Sequence, residues 1–264
     1  MGLPDDAHIG RVSLTVRHLE RSVAFYRDVL GFRVGKRNSA EAALSADGER
    51  TVIELHERAD AVLRPPRCTG LFHFAILVPN RGALGRSLRR LVEQDWPLSG
   101  VADHLVSEAL YLSDPDGLGI EIYRDRPRET WKRVNGQIAM ATDPLDLQSV
   151  ATEPGAELPW TGLEAGTVMG HVHLHVPALV EAERLYCGIV GFEPMVRAYP
   201  GALFVAAGGY HHHLGLNTWM GEGAPPPPEN AVGLRWFSVR AASLEEGEVV
   251  DEASRVVVSL GSEM

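Results

Sequence analysis

At 264 residues the chain is long enough to bury a large core in one or two domains, and 45% hydrophobic with 23% charged residues is an ordinary globular composition. The formal charge of −10 argues against nucleic acid and anionic membrane as partners. No apolar run approaches the roughly 20 residues of a membrane-spanning helix, and the start Met1-Gly2-Leu3-Pro4 has neither the basic residues nor the apolar core of a signal peptide. Cys68 and Cys187 make no disulfide framework, so the cytoplasm is the expected location. The 11 histidines are the one compositional oddity.

The first unit, residues 8–64, opens with a strand at Ile9–Val16. There Val12, Leu14 and Val16 alternate with Arg11, Ser13 and Thr15. A helix over Leu19–Leu30 follows, with Val23, Tyr26 and Leu30 on one face and Gly31 as its stop. Strands are expected at Phe32–Val34, Ala42–Ser45 and Thr51–His56, with Asp47-Gly48 as a turn. The order is β-α-β-β-β. A connector carrying Pro65-Pro66 leads on.

The second unit, residues 70–126, repeats that order: a strand at Phe72–Val78, a basic amphipathic helix at Gly82–Gln94, then strands around Leu98, at Ala109–Leu112 and at Gly119–Tyr123. Asp114-Pro115-Asp116-Gly117 makes the last turn. Residues 127–168 carry several prolines and no clear period, and read as a linker over the surface. The third unit, 169–222, matches the first at a constant offset: Gly10, Leu14, Val16, Tyr26, Gly31 and Phe32 recur as Gly170, Leu174, Val176, Tyr186, Gly191 and Phe192, the mark of a duplication. Its last strand is expected at Tyr210–Leu216. Residues 231–264 hold an abbreviated fourth unit, with strands at Gly233–Val239 and Val256–Leu260.

Strand alternation puts His171, His173 and His175 on one face of the third unit's first strand, opposite Val172, Leu174 and Val176. By the same parity His73 shares a face with Ala75 and Leu77. Glu121, between Ile120 and Ile122, needs a counter-charge if it is buried. Two imidazoles and a carboxylate around a divalent cation would satisfy it, in the facial arrangement of non-haem iron oxygenases. A lone strand histidine is more often a hydrogen-bonded core residue, and Glu121 could equally face water at a sheet edge.

These repeated units, with a first-strand His and a last-strand Glu, resemble the vicinal oxygen chelate superfamily of glyoxalases, bleomycin-resistance proteins and extradiol dioxygenases. The segment from His104 through Tyr111 and Asp114-Pro115-Asp116-Gly117 to Glu121 is similar to the extradiol dioxygenase signature. With residues 169–176 and 210–217, the resemblance is greatest to catechol 2,3-dioxygenases and covers about residues 8 to 240. It implies an α+β fold of repeated βαβββ modules forming two half-open mixed β-barrels, helices outside. It implies His73, Glu121 and His171 as ligands of Fe(II), with Mn(II) as the alternative. His211 then falls at the acid–base position, with His213 on the same face, and Tyr111 and His104 contact substrate and oxygen.

The implied reaction is ring cleavage of a catechol-type diol by O2, and a homodimer is one assembly the resemblance allows. The alternatives are a glyoxalase-like isomerase, which usually takes a second carboxylate where unit three offers His213 or Gly215, and a non-catalytic small-molecule binder of the resistance type. Arg11 and Trp236 stand at the ligand positions of units one and four. Those two units are therefore expected to pair without a metal.

Overall fold

The computed structural model describes residues 2–262. Unit one forms β1 (His8–Val16), α1 (Leu19–Ala24), β2 (Arg33–Arg37), β3 (Glu41–Ser45) and β4 (Thr51–Glu57). Unit two forms β5 (Gly70–Leu77), α2 (Arg81–Glu93), β6 (Gly100–Asp103), β7 (Ser107–Ser113) and β8 (Gly119–Asp125). Next come the hairpin β9 (Arg133–Val134) and β10 (Gln137–Ile138), turning at Asn135-Gly136 where both φ angles are positive, and the short α3 (Leu147–Ala151). Unit three forms β11 (Val168–His175), α4 (Leu179–Glu183), β12 (Glu193–Val196), β13 (Ala202–Ala206) and β14 (Leu214–Asn217). Unit four keeps β15 (Gly233–Ala241), β16 (Gly247–Asp251) and β17 (Val256–Ser262), with residues 242–246 in place of a helix and a strand.

Units one and four share a seven-stranded sheet, in the order β16-β17-β15-β1-β4-β3-β2. Units two and three share an eight-stranded one, β12-β13-β14-β11-β5-β8-β7-β6. At the middle of each, the first strands of the two units lie antiparallel, β1 against β15 and β5 against β11. The last strand of each unit lies parallel beside its first. The result is an α+β fold of two half-open barrels. The apolar parity faces, including Val12, Leu14, Phe74, Ile76, Val172 and Leu174, join one continuous core. Each such side chain contributes about 1.5–3 kcal/mol on full burial.

The duplication extends to fine detail. The expected helix Leu19–Leu30 is α-helical only to Ala24, then widens into a π-helical turn at Phe25–Val29, and α4 widens likewise over Arg184–Val190. Gly31 and Gly191, with φ of 85° and 101°, end the two helical stretches. Tyr26 and Tyr186 are fully buried in these turns. The Tyr26 hydroxyl donates to Asp114 of unit two at 3.2 Å, and that of Tyr186 to Asp251 of unit four at 2.8 Å. Each helical stretch is thereby tied to the turn before a strand of the other sheet.

Three sequence expectations need correction. The strand sought around Leu98 starts at Gly100, and the strand sought at Tyr210–Leu216 starts only at Leu214. Residues 127–168 are not a surface wrapping alone, because Ile138, Leu145, Val150, Ala156 and Leu163 are buried. Arginines of α2 bind this segment. Arg81 donates to Glu153 at 2.5 Å and Arg89 to the Ala156 carbonyl at 2.8 Å, and Arg86 donates to the Gly155 carbonyl.

Candidate metal centre

Two rungs of the eight-stranded sheet build the site. On one, Glu121 of β8 lies beside Ala75 of β5, which lies beside His171 of β11. On the other, Gly119, His73, His173 and Gly215 follow one another across β8, β5, β11 and β14. Small residues stand beside the large ones for a steric reason. A Cβ on Gly119 would lie 2.0 Å from the Phe72 carbonyl oxygen, and one on Gly215 would lie 2.7 Å from the His173 ring. The methyl of Ala75 leaves open the gap between the carboxylate and imidazole that flank it.

Into that gap point three ligand-type atoms. Glu121 Oε2 is 3.0 Å from His73 Nε2 and 3.2 Å from His171 Nε2, and the two nitrogens are 3.4 Å apart. All three residues are buried. Donors at right angles, each about 2.1 Å from an octahedral ion, would stand about 3 Å apart, so the set fits one face of such an ion. Burial alone would raise the Glu121 carboxyl, but the field and hydrogen bonds of His171 and His73 outweigh it and hold it well below the usual carboxylate range. Burial pushes His171 down to about 4 against the opposing pull of Glu121. An ionised carboxylate beside an unprotonated imidazole is the state that binds a divalent cation. The Nδ1 atoms of His73 and His171 have no hydrogen-bond partner in the described structure.

The other sheet holds the counterpart of this constellation. There Glu54 of β4 pairs with Ser13 of β1, which pairs with Trp236 of β15, so Glu54 and Trp236 occupy the places of Glu121 and His171. Arg11 stands at the place of His73. Its guanidinium is 3.1 Å from Glu54 and lies over the Trp236 ring at 5.3 Å. Where one sheet gathers donors for a cation, the other carries a cation of its own.

His73 and Glu121 of the triad line a cavity of about 710 Å³, with His171 behind them. His104 and Tyr111 line it together. His104 Nδ1 lies 2.6 Å from the Ala141 carbonyl, which can only accept, so Nδ1 donates there, and its Nε2 lies 2.6 Å from the Tyr111 hydroxyl. Burial raises the Tyr111 phenol well above its ordinary value, and the Glu121 charge adds to the effect. Met140 and Thr142 reach the cavity from the segment read as a linker.

The triple histidine is a buried turn before β14, so strand parity does not apply to it. Neither His211 nor His213 lines the cavity; His212 does. His211 Nε2 lies 2.9 Å from Asp125 Oδ1, and its Nδ1 lies 2.7 Å from His212 Nδ1. A proton on His211 Nε2, held by the carboxylate, leaves His211 Nδ1 to accept from His212 Nδ1–H. His212 Nε2 is then bare, with its lone pair free to accept a proton. Burial holds the His212 imidazole well below its ordinary pKa, with the neighbouring histidines assisting. His213 faces a separate basin beside Arg128 and Trp131, where its Nδ1 accepts the Ala207 N–H at 3.2 Å. His173 and His175 also line the cavity, joined through Asn217 by bonds of 2.9 and 2.7 Å.

Residues 8–122 match the Glyoxalase/Bleomycin resistance protein/Dioxygenase superfamily. Over 256 residues the chain is 50% identical to the catechol-2,3-dioxygenase of Bacillus subtilis (strain 168), spanning 96% of this chain and 88% of that protein. Over 129 residues it is 30% identical to biphenyl-2,3-diol 1,2-dioxygenase 3 of Rhodococcus globerulus, 47% of this chain and 68% of that one. The crystal structure of glyoxalase I from Zea mays aligns with 96% of this chain and 92% of its own at a TM-score of 0.56 and 12% identity, a likeness of fold. With half its residues shared along nearly its whole length, the chain belongs to the glyoxalase/bleomycin resistance/dioxygenase superfamily and, within it, to the extradiol dioxygenases.

Proposed function

We propose that the protein opens the ring of a catechol beside its two hydroxyls, consuming O2, with Fe(II) as its metal and Mn(II) as an ion the same donors accept. The observation that carries this reading is the convergence of His73, Glu121 and His171, the first two of which line a cavity large enough for an aromatic ring. Those three side chains would hold the ion. A divalent ion bound there supplies chelation of two vicinal oxygens and redox activation of dioxygen beside them.

The chain's own residues do the rest. His212 accepts a phenolic proton at Nε2 and returns it to the product, a task suited to a neutral imidazole. His211 and Asp125 keep that ring in the basic tautomer. The Tyr111 oxygen, held in place by His104, hydrogen-bonds the diol or the oxygen. Phe72, Phe204 and Trp219 wall the cavity and limit water. Glu121 is the one carboxylate among the described lining residues, so an isomerase that needs a second one has no base in place. No helix among the described residues is long and apolar enough to cross a membrane. The free thiols of Cys68 and Cys187 suit a reducing cytoplasm.

The test is oxygen uptake and semialdehyde formation by protein loaded with Fe(II) without air and then given substituted catechols. Turnover with at least one of them supports the reading. No uptake with any catechol, together with undiminished iron binding by His73→Ala, overturns it.

A further inference from the structure

Among the described residues lining the cavity, Arg64 is the one arginine or lysine. Arg64 lies on the connector between β4 and β5, half-buried at the cavity wall. Among the described residues no carboxylate lies within ion-pair distance of it. Its one hydrogen bond is from Nη1 to the Thr69 carbonyl, at 3.2 Å. A guanidinium has five N–H donors, and those not directed at Thr69 remain available to a ligand in the cavity. Burial holds its pKa below the ordinary arginine value.

The connector is pinned on both sides of Arg64. Val62 N–H donates to the Asn230 carbonyl at 2.9 Å and the Val62 carbonyl accepts from Val232 at 2.8 Å. Beyond it, Thr69 donates to the carbonyls of Pro225 and Ala253, at 2.9 and 2.6 Å. Pro65-Pro66 stiffen the stretch between. A guanidinium on a pinned backbone, half-buried and with no carboxylate beside it, is a preorganised anion receptor.

Arg64 also lies where a substituent of a metal-bound ring can reach. The Phe72 ring is 4.8 Å from that of the ligand His73 and 4.8 Å from that of His175. Arg64 stands close enough to His175 for its charge to add to the burial that pushes this imidazole down to about 4. His175 is therefore neutral at pH 7 and leaves the Arg64 charge undivided. Trp219, 5.6 Å from Phe72, extends the apolar wall. About 710 Å³ is the size of a cleft for a drug-sized ligand, more than an unsubstituted catechol fills.

Building on the extradiol reading, we propose that the preferred substrates are catechols bearing a carboxylate-ended side arm. The arm runs along Phe72, and its carboxylate is taken by Arg64 through a two-pronged, charge-assisted hydrogen bond. In a chain of net charge −10 such a receptor also offsets the repulsion an anionic substrate meets on approach.

The test compares 3,4-dihydroxyphenylpropionate with its methyl ester, equal in ring chemistry and different in charge, on the Fe(II)-loaded full chain. Two readouts are used: kcat/KM from oxygen uptake, and equilibrium binding without oxygen. The acid is expected to exceed the ester about 10- to 100-fold in both, and added salt is expected to erode the advantage. In Arg64→Met the ratio falls to about one, while Arg64→Lys keeps part of it. If the unmodified protein cleaves both compounds with a ratio of one or less, the Arg64 assignment is overturned and ring cleavage stands. If neither is cleaved but the acid binds more tightly and loses this in Arg64→Met, the Arg64 assignment stands and the ring-cleavage reading falls.

Discussion

The ring of His212 lies 4.1 Å, centroid to centroid, from that of the triad residue His171, while the adjacent His211 turns away to Asp125. In the proposed mechanism the first of these neighbours serves the cavity and the second supports it. His212→Gln is expected to lower kcat by about 10²- to 10⁴-fold with little change in KM or metal content. His211→Ala should fall less far, because it removes the orienting group and leaves the base. Steady-state oxygen uptake with metal analysis checks this. A larger loss in His211→Ala than in His212→Gln would reverse the assignment.

The triad predicts metal content. Glu121→Gln and His171→Ala should each weaken retention of Fe(II) or Mn(II) by more than the 10- to 100-fold typical of residues that only support a ligand. Glu54→Gln, at the equivalent place in the other sheet, should leave metal content unchanged, since Glu54 serves Arg11 there. Elemental analysis after gel filtration distinguishes the two sites.

Asp114 predicts a pH dependence of stability. Burial pushes its carboxyl up to about 6, with the Asp116 charge adding and the N–H groups of Leu118 and Asp116 opposing. The folded pKa thus lies above the unfolded one. The folded state holds this proton more tightly, which stabilises it below about pH 4, and that contribution is lost as pH rises through about 6. Asp114→Asn keeps an oxygen to accept the Asp116 and Leu118 N–H groups and has no proton to lose. Relative to the parent it should gain up to about 3 kcal/mol between pH 4 and pH 8. Urea unfolding at both values measures the difference, and an equal effect at both would refute it.

Gly85 predicts the cost of displacing the segment on α2. A Cβ there would sit 2.5 Å from the Val150 carbonyl oxygen and 2.6 Å from the Ala156 Cβ. Alanine favours a helix over glycine by about 1 kcal/mol, whereas overpacking costs about 1–3 kcal/mol. Gly85→Ala should therefore lose up to about 2 kcal/mol net, or up to about 8 °C of melting temperature. A raised melting temperature would mean the segment is loosely held.

Much of this molecule was legible from its residues. The alternation of Val172, Leu174 and Val176 against the histidines, the constant offset from Tyr26 to Tyr186, and the spacing from Tyr111 to Glu121 are local or repeated patterns. Backbone geometry turns such patterns directly into faces and turns. By that reasoning His73, Glu121 and His171 each lie on the concave face of a strand.

Which side chains meet was decided only in three dimensions. Parity holds only while the chain stays in a strand, and it leaves that state between Tyr210 and Leu214, so His212 rather than His211 enters the cavity. Glu54 looks like any surface carboxylate until the strand register sets it at the place of Glu121, with Arg11 in attendance. Met140, Thr142 and Arg64 come from irregular segments, whose course is set by distant hydrogen bonds such as Val62 to Asn230. Those contacts join residues far apart in the chain, and no local period encodes them.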